Sequence, residues 1–298
     1  MLQKLAVRSI GPMMIAVLMG CGNPQGAAPQ EAVLHDEGQN VLPEPPGGEG
    51  TLFIIGGGSR SPELMQHMVD LLPSKEALIV VLPMASSEPD TSAFYGMRQF
   101  TELGCNNVRT LVLNADSTSA GTLDSLKMAD GIYLTGGDQN RLMAALNEDA
   151  RSALHQRFAE GAVIAGTSAG AAVMSSVMIT GDQQREPEYE STYRRLMADN
   201  GLYSEGLGLL SNAIVDQHFV ERSRYNRALT ALHDHGLPVF GIGESTALVV
   251  QSNGYSVAGE GQVVVFTGGS TKADSSGLIG MENVRLDVWL PGHTTDKN

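Results

Sequence analysis

Cysteine is scarce in this chain: Cys21 and Cys105 are the only two among 298 residues, too few for a disulfide framework. Neither an HExxH nor a CxxC spacing occurs, so no metal is expected. Bases are also under-represented, with 19 Lys and Arg against 33 Asp and Glu for a formal charge of -14. A surface of that sign repels phosphate backbones and anionic lipid, which argues against nucleic acid and against a bare membrane surface as partners. What is present is the profile of a packed globular protein: 42% hydrophobic and 17% charged residues with 35 glycines. Wholly disordered, collagenous and coiled-coil chains are excluded.

The beginning of the chain has its own character. Bases at Lys4 and Arg8 precede an apolar run from Met13 to Met19 and a small Gly20, the layout of a secretory signal whose run is too short to span a bilayer. Leu18-Met19-Gly20-Cys21 resembles the lipobox of bacterial lipoproteins. Residues 1–21 are therefore expected to be an export signal ending at a lipid-modified Cys21, which leaves Cys105 as the only free thiol and the lipid as the only membrane contact. Residues 22–50, with Pro24, Pro43, Pro45, Pro46, Gly47 and Gly48 and few large apolar side chains, read as a disordered tether. Residues 51–298 remain for a single catalytic α/β domain.

From Leu52 short apolar runs alternate with amphipathic stretches: Leu52–Ile55, Ala77–Leu82, Val108–Leu113, Gly131–Leu134, Val163–Ala165 and Ala213–Val215. Runs of this length suit parallel strands buried on both faces. Helices are expected from Ser61-Pro62-Glu63 (an N-cap, a proline at N1 and an acid on the dipole), and over Asp90–Leu103, Gln139–Leu146 and Ala150–Glu160. The alternation predicts a doubly wound, mostly parallel sheet with helices on both faces. From Val239 to Trp289 strand-like runs dominate, predicting an antiparallel extension, and Pro291–Asn298 reads as a frayed tail.

The strongest chemical signal is Gly166-Thr167-Ser168-Ala169-Gly170 between an apolar strand and small helix formers. A G-x-S-x-G at such a turn is a nucleophile elbow, exposing the Ser168 hydroxyl at the sheet edge and aiming the Ala169 N–H and a helix dipole at a developing oxyanion. The bare pattern also fits a plain tight turn. Among seven histidines, His218 ends the apolar run Ile214-Val215, where doubly wound proteins place their sites. A second turn, Thr135-Gly136-Gly137-Asp138, lies where its amides can complete an oxyanion hole. Gly56-Gly57-Gly58 invites a dinucleotide reading, but Ser61 replaces the third glycine of G-x-G-x-x-G, so no nucleotide cofactor is expected. Arg222, Arg224 and Arg227 follow His218; they fit either a carboxylate clamp or a solvated helix face.

Together, Gly166-Thr167-Ser168-Ala169-Gly170-Ala171, Thr135-Gly136-Gly137-Asp138-Gln139, Val215-Asp216-Gln217-His218-Phe219 with its arginines, and Gly241-Ile242-Gly243-Glu244-Ser245-Thr246-Ala247 resemble the cyanophycinases. These belong to a serine peptidase family that also holds aspartyl dipeptidase, on a fold similar to class I glutamine amidotransferases. The resemblance implies Ser168 as nucleophile, His218 as general base, and Gln139, Asp216, Gln217, Arg222, Arg224 and Arg227 as substrate-pocket residues. It implies a glutamate after the nucleophile helix as third triad member, which counting assigns to Glu186, with Glu188 in reserve. Gly243 departs from the acidic residue common there. The implied substrate is cyanophycin, a polyaspartate with arginine on each side-chain carboxyl, cleaved to β-aspartyl-arginine; a dipeptidase for aspartyl peptides and an inactive peptide-binding lipoprotein are the alternatives. A homodimer is also implied.

Overall fold

The computed structural model describes residues 41–116, 120–185 and 192–295. The first half alternates as the apolar runs require: β1 (Thr51–Ile55), α1 (Pro62–Asp70), β2 (Ile79–Leu82), α2 (Pro89–Glu102), β3 (Val108–Thr110), α3 (Ala120–Lys127), β4 (Gly131–Leu134), α4 (Gln139–Ala145), α5 (Glu148–Ala159), β5 (Val163–Thr167) and the short α6 (Ala169–Ala172). An antiparallel pair follows, β6 (Val177–Gln183) and β7 (Gly201–Glu205), then β8 (Ile214–Gln217), α7 (Tyr225–His235) and β9 (Val239–Ile242). The rest is β10 (Thr246–Gln251), β11 (Gly254–Gly259), β12 (Val263–Thr267), β13 (Ser270–Ala273), β14 (Ile279–Glu282) and β15 (Arg285–Trp289).

This is an α/β fold. The main sheet has the order β11-β10-β1-β5-β4-β2-β3, parallel from β1 to β3, with β10 and β11 added antiparallel. Because side chains alternate across a strand, β1 feeds two cores. Leu52 and Ile54 pack with Leu126, Leu142, Leu154 and Ala171, while Phe53 and Ile55 pack with Leu64, Met68 and Phe100 of α1 and α2. Local signals set the helix ends: the Ser61 hydroxyl accepts from the Leu64 N–H, with Pro62 in the first turn.

Four features depart from the sequence expectations. The strand before His218 lies in a second sheet, β15-β12-β9-β8, rather than in the main one. Its neighbour β9 runs parallel to it, although the run from Val239 onward is expected to be antiparallel; the pairings of β10 to β15 are antiparallel as expected. The tether also ends sooner. Leu42 packs on the core, the Pro43 carbonyl accepts from the Tyr255 hydroxyl at 2.9 Å, and the Glu44 carbonyl accepts from Asn212 at 2.6 Å. The tail likewise docks through Gly292, His293 and Thr295 on Val257 and Tyr255, with the His293 ring stacked on Trp289. Residues 1–21, Cys21 included, and the greater part of the tether, residues 22–40, lie outside the described residues. Among the described residues no helix is long and apolar enough to cross a membrane.

Candidate active site

Because β1, β4 and β5 are parallel neighbours, the loops leaving their carboxyl ends meet at one sheet edge. The loop after β5 is the elbow. Ser168 has φ 53 and ψ -110, a conformation costing a non-glycine residue on the order of 1–3 kcal/mol and retained where the surroundings enforce it. The flanking glycines are such surroundings. A Cβ on Gly166 would lie 2.2 Å from the Gly170 carbonyl oxygen, and one on Gly170 would lie 2.2 Å from that of Leu134. The helix that follows is a single turn, so the dipole expected from the run of small residues is correspondingly slight.

His218 follows β8 and also has positive φ, at 50. Its backbone N–H donates to the Gly56 carbonyl at 2.7 Å, which brings the loop after β8 against the loop after β1. There the Ser168 Oγ lies 2.9 Å from His218 Nε2, and His218 Nδ1 lies 2.5 Å from Glu244 Oε1. With the carboxylate accepting from Nδ1–H, Nε2 is left as the acceptor for the serine hydroxyl.

Glu244 is the functional residue that the sequence reading places in a motif without giving it a role. It arrives through register: β8 and β9 pair in parallel with Gln217 opposite Ile242, so His218 and the residues just after Ile242 leave the second sheet side by side. Glu186 and Glu188 lie outside the described residues, and Glu244 occupies the Nδ1 side of the imidazole.

The glycine-rich turn after β1 gains a purpose as well. A Cβ on Gly57, φ 121, would stand 2.3 Å from His218 Cε1, and one on Gly58 would stand 2.6 Å from Glu244 Cβ. These glycines make room for the imidazole and its carboxylate rather than for a pyrophosphate.

Burial lowers the His218 pKa below its ordinary value; the charges of Arg222 and Arg224 push the same way, against the opposing pull of Glu244. The ring is thus neutral, and able to accept a proton, at pH 7. A reaction that needs this base loses rate as pH falls through its pKa. The acidic limb of kcat/KM is expected with a midpoint below about 6.5, and a midpoint above that value in a pH–rate profile contradicts a buried imidazole.

Residues 52–258 match Peptidase family S51. The chain belongs to that family. Over 223 residues this S51 peptidase is 34% identical to a cyanophycinase of Trichormus variabilis, with 72% of each chain covered. It is 31% identical over 253 residues to a cyanophycinase of Geminocystis herdmanii, covering 80% of this chain and 90% of the relative. Among solved structures it resembles a peptidase from an acI-B1 Actinobacterium, with a TM-score of 0.62, 20% identity, and 83% and 97% of the two chains covered. It also resembles a peptidase E protein of Listeria monocytogenes, with a TM-score of 0.50, 18% identity, and 70% and 98% covered. At those identities the structural likeness carries the fold alone, while the family match makes the chain a peptide hydrolase.

Ser168 sits where two clefts of this S51 peptidase meet. One, of about 290 Å³, is lined by Gly137, Asp138, Gln139, Asp182, Gln217, Arg222, Arg224 and Arg227. Of the six pocket residues implied by the sequence resemblance, five are therefore brought together. The sixth, Asp216, is buried behind the cleft rather than in it: it grips Arg227 through both carboxylate oxygens and lies 3.6 Å from Arg224 Nη1. Arg224 also donates to the carbonyl and side-chain oxygens of Gln217, and Gln139 donates to the carbonyls of Ile179 and Thr180. Arg224 and Arg227 are held in place from behind, not solvated as an open helix face. The other cleft, of about 400 Å³, includes Gly57, Gly58, Arg60, Gln99, Gly136 and His218. Among the described residues no group of three His, Cys, Asp or Glu side chains could hold a metal.

Proposed function

We propose that this S51 peptidase hydrolyses cyanophycin, or a closely related aspartyl-arginine peptide, through an acyl-enzyme on Ser168, with His218 as general base and Glu244 as its carboxylate partner. The observation that carries the proposal is the unbroken run from Ser168 Oγ to His218 Nε2 and from His218 Nδ1 to Glu244 Oε1, placed at the junction of two clefts. In the first half-reaction Oγ attacks the scissile carbonyl as its proton passes to Nε2. The C–N bond then breaks, and Nε2–H gives that proton to the leaving amine. Water, deprotonated by the same nitrogen, releases the acyl group.

Charge developing on the carbonyl oxygen needs donors other than the Ser168 N–H, which already donates to the Ile55 carbonyl. The Ala169 N–H and the amides of Gly136 and Gly137 fill that role in this reading; a Cβ on Gly136 would lie 3.4 Å from the Ser168 Cβ, so the turn after β4 is within reach. The arginine-lined cleft supports the substrate class. Cyanophycin presents a free carboxylate and a guanidinium on every pendant arginine, and the cleft offers Arg222, Arg224 and Arg227 for the first and Asp138 and Asp182 for the second.

The test is incubation of the purified protein, and of its Ser168→Ala variant, with insoluble cyanophycin and with α- and β-aspartyl dipeptides, products being identified by mass spectrometry. Release of β-aspartyl-arginine by the wild type alone is the expected result. Cleavage of dipeptides but not polymer moves the assignment to a dipeptidase, and folded protein that turns over nothing makes it a binding protein.

A further inference from the structure

The cleft on the His218 side contains an oddity that catalysis by the three residues above does not use. Tyr133, Thr135 and Thr167 line it yet are no more than 4% exposed, and their hydroxyl oxygens, closed off from solvent, have no hydrogen-bond partner among the described residues. Tyr133 approaches Gln99 without closing a bond of ordinary geometry. Beside them is Arg60, half-buried, whose Nε donates to Gln99 Oε1 at 2.7 Å and whose Nη1 donates to the Gly58 carbonyl at 3.1 Å. These two bonds fix the plane of the guanidinium, and no carboxylate among the described residues forms an ion pair with it.

We infer that Arg60 forms a subsite that binds a carboxylate on the leaving half of the substrate. The inference rests on the serine-peptidase reading of Ser168 given above. The chemistry of the cleft selects the ligand: the Arg60 guanidinium is permanently charged and only donates. The occupant must therefore be rich in acceptors and negatively charged. Position selects the half. His218 lines this cleft and not the one with Arg222, Arg224 and Arg227, and the imidazole must reach the leaving nitrogen to protonate it. The acyl half then lies in the arginine-lined cleft, and the departing amine with its carboxylate lies against Arg60.

Kinetics on a pair of peptides test this: a dimer of β-aspartyl-arginine units, and the same dimer with the arginine carboxylate of the leaving unit amidated. For the wild type the amide is expected to show a KM about tenfold higher, the scale of one charge-assisted hydrogen bond. Arg60→Gln should raise KM for the acid by about the same factor and leave the amide unchanged, with kcat nearly constant for both. Arg60→Lys, which keeps the charge but not the forked donors, should recover part of the preference for the acid and guards against disturbance of the Gly58 turn by the first variant. Equal effects on the two peptides, or none, overturn the subsite. Labelling of Ser168 by a small fluorophosphonate separates the two readings: labelled protein that hydrolyses neither dimer disproves the subsite but not the nucleophile, whereas failure to label Ser168 removes both.

Discussion

Replacing Glu244 with glutamine is expected to lower kcat/KM by about 10³- to 10⁴-fold while leaving the thermal unfolding midpoint nearly unchanged. The imidazole has two jobs that depend on its tautomer. It must keep hydrogen on Nδ1, so that Nε2 can accept from the Ser168 hydroxyl at 2.9 Å, and it must tolerate a full positive charge in the transition state. A carboxylate at 2.5 Å from Nδ1 does both. A glutamine amide of the same size holds the ring less selectively, can turn its NH₂ toward Nδ1, and offers no charge against the imidazolium. Steady-state kinetics on Glu244→Gln and on Glu186→Gln, side by side, decide between the residue found against His218 and the one expected by counting from the serine. Loss in the second variant and not the first would mean that Glu244 is a bystander.

Gly57→Ala is expected to cost at least about a hundredfold in kcat/KM although the residue carries no reactive group, because displacing a reacting geometry by about 1 Å has that cost. The added methyl would lie 2.3 Å from Cε1 and 2.5 Å from Nε2 of His218, closer than carbon and nitrogen can approach. The ring has to swing off Ser168, because the alternative is to move β1 against the strands on either side of it. Alanine is also strained at φ 121, which adds a destabilisation of roughly 1–2 kcal/mol. Measuring fluorophosphonate labelling of Ser168 together with peptide turnover separates the two effects, since a displaced imidazole slows both in folded protein. Activity within tenfold of the wild type would show that the ring does not need its place over Gly57.

These two positions mark the limit of what the chain discloses in one dimension. Ser168 is legible because its signal is local: a strand, two glycines two residues away on either side, and small residues beyond. The start of α1 at Ser61-Pro62 is legible for the same reason. His218 could be singled out because a polar residue ending an apolar run is itself a local pattern. Glu244 could not be assigned, since its role depends on β9 lying parallel beside β8, and strand partners are chosen by the whole fold. The glycines after β1 have the same difficulty in reverse. Their pattern is visible, but the group for which they leave space is a ring from another sheet, and without it three glycines suggest a phosphate. The family resemblance puts Asp216 beside Gln217 in the pocket; in an extended strand adjacent residues point to opposite sides, so Gln217 lines the cleft while Asp216 turns inward to Arg227.

The docked strip at Leu42, Pro43 and Glu44 has a geometric consequence. It lies against Tyr255 and Asn212, and Tyr255 pairs with Val250, which pairs with Leu52 near the start of β1. The polypeptide therefore joins the domain at the amino edge of the sheet, while Ser168 sits at the carboxyl edge. A support coupled at this strip would lie against the edge of the sheet opposite the two clefts.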